Sequence, residues 1–221
     1  MTVYFNIRPL LPYFESLGSA VLITIFMSLA TMATSLALGL VFAVMRQSQS
    51  RLVRFFATAY VEFFRNVPLL IVLYFVYFMM PAIGMKLSPF QAGLVGMTLH
   101  YGAYMTEILR AGLSAISFGQ YEAGNSQGLT RLQVLRYIVM PQVFRTIYPP
   151  LGNQLIQIIL GSSLCSAIAV VDIASWMQTA GAASFRYFET FAIAAVVYFI
   201  LCQVVNVMRI QLGRYLFRAE R

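Results

Sequence analysis

Gln154 and Gln157 stand three residues apart inside a long apolar run, with Gly161 four residues further on and Ser162 and Ser163 directly after it. At i, i+3 and i+7 the first three share one helical face. A glutamine amide donates and accepts hydrogen bonds without a fixed charge, so such a face suits recognition of a polar ligand. A plainer use competes with this one. Inside a membrane, glutamine and serine also bond neighbouring helices, for about 1 kcal/mol each. Each residue alone fits that bonding role, whereas the face as a whole fits a recognition site. His100, the single histidine, lies in another apolar run beside Tyr101. Beside the serines of GSSL (161–164) it would form the nucleophile and base of a serine hydrolase. One histidine with Cys165 and Cys202, far apart and both in apolar runs, makes no metal site.

A second group lies at 120–145, QYEAGNSQGLTRLQVLRYIVMPQVFR, where the chain turns small, polar and basic. Glu122 is expected to begin a short helix, because a carboxylate suits the positive end of the helix dipole. Ala123, Gly124 and Ser126 would leave a low surface for another backbone. Gly128 offers a stop or sharp turn, and Thr130 can cap a second helix. In that helix Leu132, Leu135 and Val139 repeat at i, i+3 and i+7, with Arg131 and Arg136 turned to water or an acidic partner. Ile138 leads to Pro141, which marks the next boundary. The result is a helix–Gly–helix hairpin over 120–141. Spacing alone leaves two uses equally open: docking to a partner, or joining the helices on either side.

The elements that hold these groups belong to a membrane. Of the 221 residues 60% are hydrophobic and only 10% charged, with mean hydropathy +0.78. Soluble domains carry about 25% charged residues, so a soluble core is excluded. Spanning a bilayer takes about 20 apolar residues. Five stretches free of Asp, Glu, Lys and Arg meet or nearly meet this: Ser16–Met45, Asn66–Met85, Leu87–Thr106, Thr146–Val171 and Thr190–Met208. The second is expected to start earlier, in the mostly apolar FFATAYVEFF (55–64). The third is expected to run past Glu107, where Glu107 and Arg110 neutralise each other.

Arginine alternates in step with these spans. Arg46, Arg51 and Arg54 follow the first span, and Arg110, Arg131, Arg136 and Arg145 surround the third connection. Arg209, Arg214, Arg218 and Arg221 close the chain. All basic residues except Arg8, Lys86 and Arg186 then fall on one side. The positive-inside rule makes that side cytoplasmic, with the N-terminus outside. It also accounts for the net charge of +8 without nucleic acid. The first run is too long for a signal-peptide core and lacks a basic leader, so it reads as a retained span. No internal repeat or linker appears, which gives one domain.

Residues 122–141 resemble the EAA motif of ABC importer permeases, which begins Glu-Ala-Ala, has a Gly four residues after the second Ala, and ends Ile-x-x-Pro. Here these are Glu122-Ala123-Gly124, Gly128 and Ile138-x-x-Pro141. The likeness extends to EFFRNVPLL (62–70), YGAYMTEILRAGLSAI (101–116), MPQVFRTIYPPLGNQLIQI (140–158) and SSLCSAIAVVDI (162–173). Together these runs are similar to the polar amino acid branch over about residues 17–212. Leu160 and Gly161 replace the Lys or Asp that often precedes Thr-Ser-Leu there.

The resemblance implies an all-α, polytopic type I ABC importer transmembrane domain at 17–212, in a bacterial inner (plasma) membrane. Its EAA hairpin at 120–141 couples through Glu122, Ala123, Gly124, Gly128, Ile138 and Pro141 to a dimer of ABC ATPase subunits. Those ATPases bind ATP and Mg; this chain has no cofactor and no Gly-x-x-x-x-Gly-Lys-Ser/Thr loop. The other implied partners are a second permease, as copy or paralogue, and a periplasmic or extracellular solute-binding protein. Membrane lipid surrounds the chain, and nucleic acid has no part. Gln154, Gln157, Ser162 and His100 then become candidates for the substrate path. An amino acid zwitterion needs donors for its carboxylate and acceptors for its ammonium.

Two rival classes are an intramembrane serine-protease-like enzyme and a channel subunit. His100 precedes the serines, against the order of rhomboid-like proteases, and no Gly-rich re-entrant filter or acidic ring is present for a channel.

Overall fold

The computed structural model describes residues 5–217; Arg218 and Arg221 of the basic tail lie outside these. Among the described residues all regular structure is helical. A 3-10 turn (Arg8–Tyr13) leads into α1 (Phe14–Arg46), followed by α2 (Arg51–Asn66) and α3 (Leu69–Tyr74). A π turn (Phe75–Met79) and a 3-10 turn (Met80–Ile83) extend α3. Then come α4 (Pro89–Ser114), α5 (Phe118–Ser126) and α6 (Arg131–Val134). A π turn (Leu135–Val139) joins α6 to α7 (Met140–Ser162). After a 3-10 turn (Ser163–Ile168), α8 (Ile173–Ser184) and α9 (Tyr187–Leu216) complete the chain.

Among the described residues three helical stretches are long and apolar enough to cross a membrane: Arg8–Arg46, Arg131–Ile168 and Tyr187–Leu216. They contain the first and fifth expected spans and all but the last three residues of the fourth. The second expected span is bent. Residues 55–64 belong to α2, which meets the Leu69–Ile83 stretch at 108°. The break is local chemistry. Val67 precedes Pro68 and is extended, with φ −100° and ψ 131°, as the proline ring forces. Counted together, the bent pair gives a fourth crossing.

The third expected span is α4, 26 residues long, about 39 Å at 1.5 Å per residue. It carries His100, Glu107 and Arg110 and is not among the stretches apolar enough to cross a membrane by composition alone. Its position explains why: α1, α2, α3 and α7 all pack on it, so its surface meets protein instead of lipid. Gly39 of α1 leaves no room for a side chain against Met105, and a Cβ at Gly96 would lie 2.9 Å from Leu73 Cδ2. Met27, Leu73, Met97, Met105 and Ile158 close the core around α4. At its start, Ser88 and Gln91 form a reciprocal capping box, with Ser88 N–H to Gln91 Oε1 at 2.9 Å.

Candidate functional site

The hairpin is built by local bonds. α5 ends in a Schellman motif: the Leu129 N–H donates to Gly124 O (3.2 Å) and the Gly128 N–H to Asn125 O (3.0 Å). Gly128 occupies the left-handed region at φ +80°, where an L-residue costs roughly 1–2 kcal/mol. Thr130 caps α6: its N–H donates to Gln133 Oε1 (2.8 Å), and the Gln133 N–H returns to Thr130 Oγ1 (3.4 Å). The expected turn and cap are therefore both present.

Three other features differ from expectation. Glu122 does not begin a helix; α5 starts at Phe118 after Ser117, so Glu122 is its fifth residue and is exposed. Gly124 faces inward. A Cβ there would stand 2.7 Å from Val134 Cγ2 and 2.9 Å from Ile138 Cδ1, so its smallness serves the hairpin's own packing. The buried stripe is also not Leu132–Leu135–Val139. Leu132 is 74% exposed and Leu135 38%, while Val134, Val139, Val143 and Ile147 form the core under the hairpin. Five residues separate Val134 from Val139 because the π turn lies between them, and it shifts the helical phase. Pro141 accordingly marks no break. It is the second residue of α7, and helix runs from Arg131 to Ile168 through the π turn.

Ala123, Glu122, Arg131 and Arg136 point out of the hairpin, beside Phe118 (73% exposed) and Leu132. At its base, Gln142 Nε2 donates to Gln120 Oε1 (3.2 Å), tying α7 back to α5. Above this, Arg46 of α1 and Arg110 both grip Glu107, Arg110 Nη2 at 2.8 Å from Glu107 Oε2. The expected neutral pair is thus a triad that also fastens α1 to α4.

On α7, Gln157 is exposed and Gln154 half-buried. Neither side chain hydrogen-bonds another described residue, although the main-chain carbonyl of Gln157 accepts from Tyr101 Oη at 2.9 Å. Tyr101 rests in the space left by Gly161 and so joins α4 to this face. Asn153, also exposed, lies one turn before Gln157 on the same face. Sequence reasoning passed over Asn153 and Tyr101; the four-residue spacing of Asn153 from Gln157 was the available signal. Ser162 lies off the face. It is 1% exposed, and its hydroxyl donates to Ile159 O at 2.8 Å. His100 is buried on α4 with its ring edge-on to Tyr101, centroids 5.2 Å apart, and Nδ1 without a partner among the described residues. The structure therefore sets the Gln157 backbone and Gly161 against Tyr101 on the face that also carries Asn153 and Gln154, and leaves Ser162 inside its own helix. It builds no serine–histidine pair.

Comparison with known proteins follows the same lines. The family model described as "Binding-protein-dependent transport system inner membrane component" matches residues 35–214. The probable glutamine ABC transporter permease protein GlnM of Bacillus subtilis is 35% identical over 178 residues, 80% of this chain and 82% of that one. The probable amino-acid ABC transporter permease protein YckA of the same organism is 33% identical over 205 residues, covering 93% and 91%. Among solved structures, an amino acid ABC transporter with histidines superimposes with TM-score 0.89 at 28% identity, over 96% of this chain and all of that chain. The MetNI methionine ABC transporter, at 19% identity and TM-score 0.75 over 93% and 98%, shares the fold.

Proposed function

The chain belongs to the binding-protein-dependent transport system inner membrane components, and from that premise we propose that it carries a polar amino acid through a bacterial inner membrane. It is a permease subunit of an ABC importer, and the ATPase is a separate subunit. In the proposed arrangement five spans cross the bilayer: α1, the bent α2–α3 unit, α4, the α6–α7 helix and α9. The N-terminus is outside and the C-terminus cytoplasmic. The transmembrane domain covers 17–212, with the coupling hairpin at 120–141. Counting α4 as a span rests on its length and its enclosure by other helices.

The hairpin carries this reading. It is held rigid by the Schellman turn, the Thr130–Gln133 box and the Val134–Ile147 core. It presents Glu122, Ala123, Arg131 and Leu132 outward. A dimer of ATPase subunits binding ATP and Mg engages that surface through Glu122, Ala123 and Gly128, while Gly124, Ile138 and Pro141 keep its shape. The exposed Asn153–Gln157 face of α7 meets a second permease subunit and the substrate between them. An exposed glutamine within a span is costly against lipid, so such groups face protein or water. Gln154, Gln157 and Tyr101 contribute to the path, with His100 behind Tyr101; Ser162 serves it by packing only. A solute-binding protein delivers the substrate from outside.

The direct test is uptake into proteoliposomes holding the permease, its ATPase and its binding protein, screened over polar amino acids. Accumulation that requires both ATP and the ATPase subunit supports the reading. Amino acid flux through the permease alone contradicts it.

A further inference from the structure

α2 holds four charged residues among its 16, Arg51, Arg54, Glu62 and Arg65, more than a helix crossing hydrocarbon tolerates. At about 100° per residue its side chains fall into three adjoining sectors. Ala57 and Val61 are fully buried and, with Tyr60, face the protein. Leu52, Phe55, Phe56 and Phe63, each 58–66% exposed, form an open apolar sector with Ala59 between them. Arg51, Arg54, Glu62 and Arg65 form the third sector and are exposed as well. One apolar face closed by protein, one apolar face open and one charged face require three surroundings: protein, lipid and water. These three meet only where a membrane protein passes through the membrane interface.

The direction and level of α2 agree with this. α3 runs antiparallel along α4: Leu73 lies against Gly96, and Leu69 shares the space at Gly161 with Tyr101. α2, bent 108° from the Leu69–Ile83 stretch, therefore crosses α4 instead of following it. Two contacts fix where. Tyr60 Oη donates to Leu99 O at 2.7 Å, with its ring stacked on Phe42 of α1, and the Arg65 guanidinium lies 5.6 Å from the Tyr104 ring centroid. Leu99 and Tyr104 precede Glu107 by eight and three residues, about 12 and 5 Å along the helix. Glu107, gripped by Arg46 and Arg110, marks the level at which charge returns at the cytoplasmic end of α4. α2 thus lies just inside that boundary, and interfacial amphipathic helices sink about 5–10 Å. We propose that α2 is an interfacial helix lying in the plane of the cytoplasmic leaflet, its open face covered by lipid. Leu52, Phe55, Phe56 and Phe63 enter the acyl chains, and Arg51 and Arg54 reach the headgroups, where anionic phospholipid suits their charge. Of the bent α2–α3 unit, α3 then runs across the membrane and α2 along it.

The choice of leaflet rests on the proposed orientation, and the test reads depth instead of transport. Leu52→Cys, Phe56→Cys and Phe63→Cys on the open apolar face, and Arg54→Cys and Glu62→Cys on the charged face, are made in a permease without Cys165 and Cys202. Each is nitroxide-labelled in the permease–ATPase complex, in nanodiscs of phosphatidylcholine with phosphatidylglycerol. Paramagnetic resonance then compares collisions with oxygen, which enters lipid, and with a water-soluble nickel chelate. The three apolar-face labels should collide mainly with oxygen, and the two charged-face labels mainly with nickel. Depths at 52 and 63 should agree within about 5 Å, whereas a crossing helix would separate these positions by about 16 Å. If Phe63→Cys does not assemble, Ala59→Cys on the same face takes its place. A separation of about 16 Å makes α2 a crossing segment and overturns the proposal. Apolar-face labels shielded from both reagents mean that protein covers the face, as a second permease would, and overturn it too. Nickel-dominated collisions at all five positions place α2 in water, which also overturns it. Equal, shallow depths without any amino acid uptake by the unlabelled complex leave the interfacial helix standing while the transport reading falls.

Discussion

Replacing Gln157 with leucine separates recognition from packing. The Gln157 side chain is exposed and bonds no other described residue, so within this chain it joins no helices. Gln157→Leu should weaken apparent substrate affinity about tenfold, as expected for one lost hydrogen bond to a charged ligand group, with thermal stability unchanged. Unchanged affinity with a lower Tm would assign it to helix bonding with the second subunit. Asp172 is a different case. It lies between spans, 1% exposed, and caps α8 through the Ser175 N–H at 2.8 Å, while Oδ2 has no partner among the described residues. Burial pushes its carboxyl up from 3.8 to about 6. The folded state therefore holds this proton more tightly than the unfolded one. The stability so gained is full below about pH 4 and lost as pH rises to about 6. Asp172→Asn keeps the capping oxygen without the buried charge. It should be the more stable form at pH 7, by about 2–3 kcal/mol, with the gap in Tm closing as pH falls toward 4. A gap independent of pH would contradict this. At this scale the sequence showed residue types and caps well: Gly128 and Thr130 act through bonds only a few residues long. It did not show that Ser162 turns into its own helix, because a hydroxyl's direction depends on which face its neighbours cover.

The α5–α6 hairpin shows where local pattern stops being enough. A 3.6-residue template selects Leu132, Leu135 and Val139, but the π turn at Leu135–Val139 stretches the repeat to five residues and buries Val134 instead. Pro141 follows directly on this π turn and stands within the continuous helix without a break. The bend of 108° before α3 was legible in principle from Val67-Pro68; the apolar run across 55–64 concealed it, because composition carries no direction. Gly124 tests the packing directly. Gly124→Leu would drive a side chain into Val134 and Ile138, at a cost of about 1–3 kcal/mol for overpacking. Limited trypsin digestion of the purified complex should then cut faster at the exposed Arg131 and Arg136, with membrane insertion unchanged. Cleavage at the wild-type rate would mean that the hairpin does not depend on this contact.

Across the whole molecule, class and membrane character were plain from composition, and orientation was argued from arginine alone. The central place of α4 was not legible, because its enclosure arises from α1, α2, α3 and α7 together. Orientation can be read with Gln49→Cys and Ala183→Cys, both at exposed positions, in a background without Cys165 and Cys202. An impermeant maleimide should label Ala183→Cys in intact cells and Gln49→Cys only after permeabilisation; the reverse would turn the chain over and move the hairpin away from ATP. The central claim, that this hairpin transmits ATPase motion to the spans, is tested most directly at Gly128. Amino acid uptake per ATP hydrolysed is measured in proteoliposomes holding the full complex, comparing wild type with Gly128→Leu, which forces a side chain onto φ +80°. A complex that still assembles and hydrolyses ATP, but whose uptake per ATP falls at least about tenfold, is the predicted result, equivalent to about 1.4 kcal/mol of lost coupling. A wild-type ratio in Gly128→Leu would contradict the account.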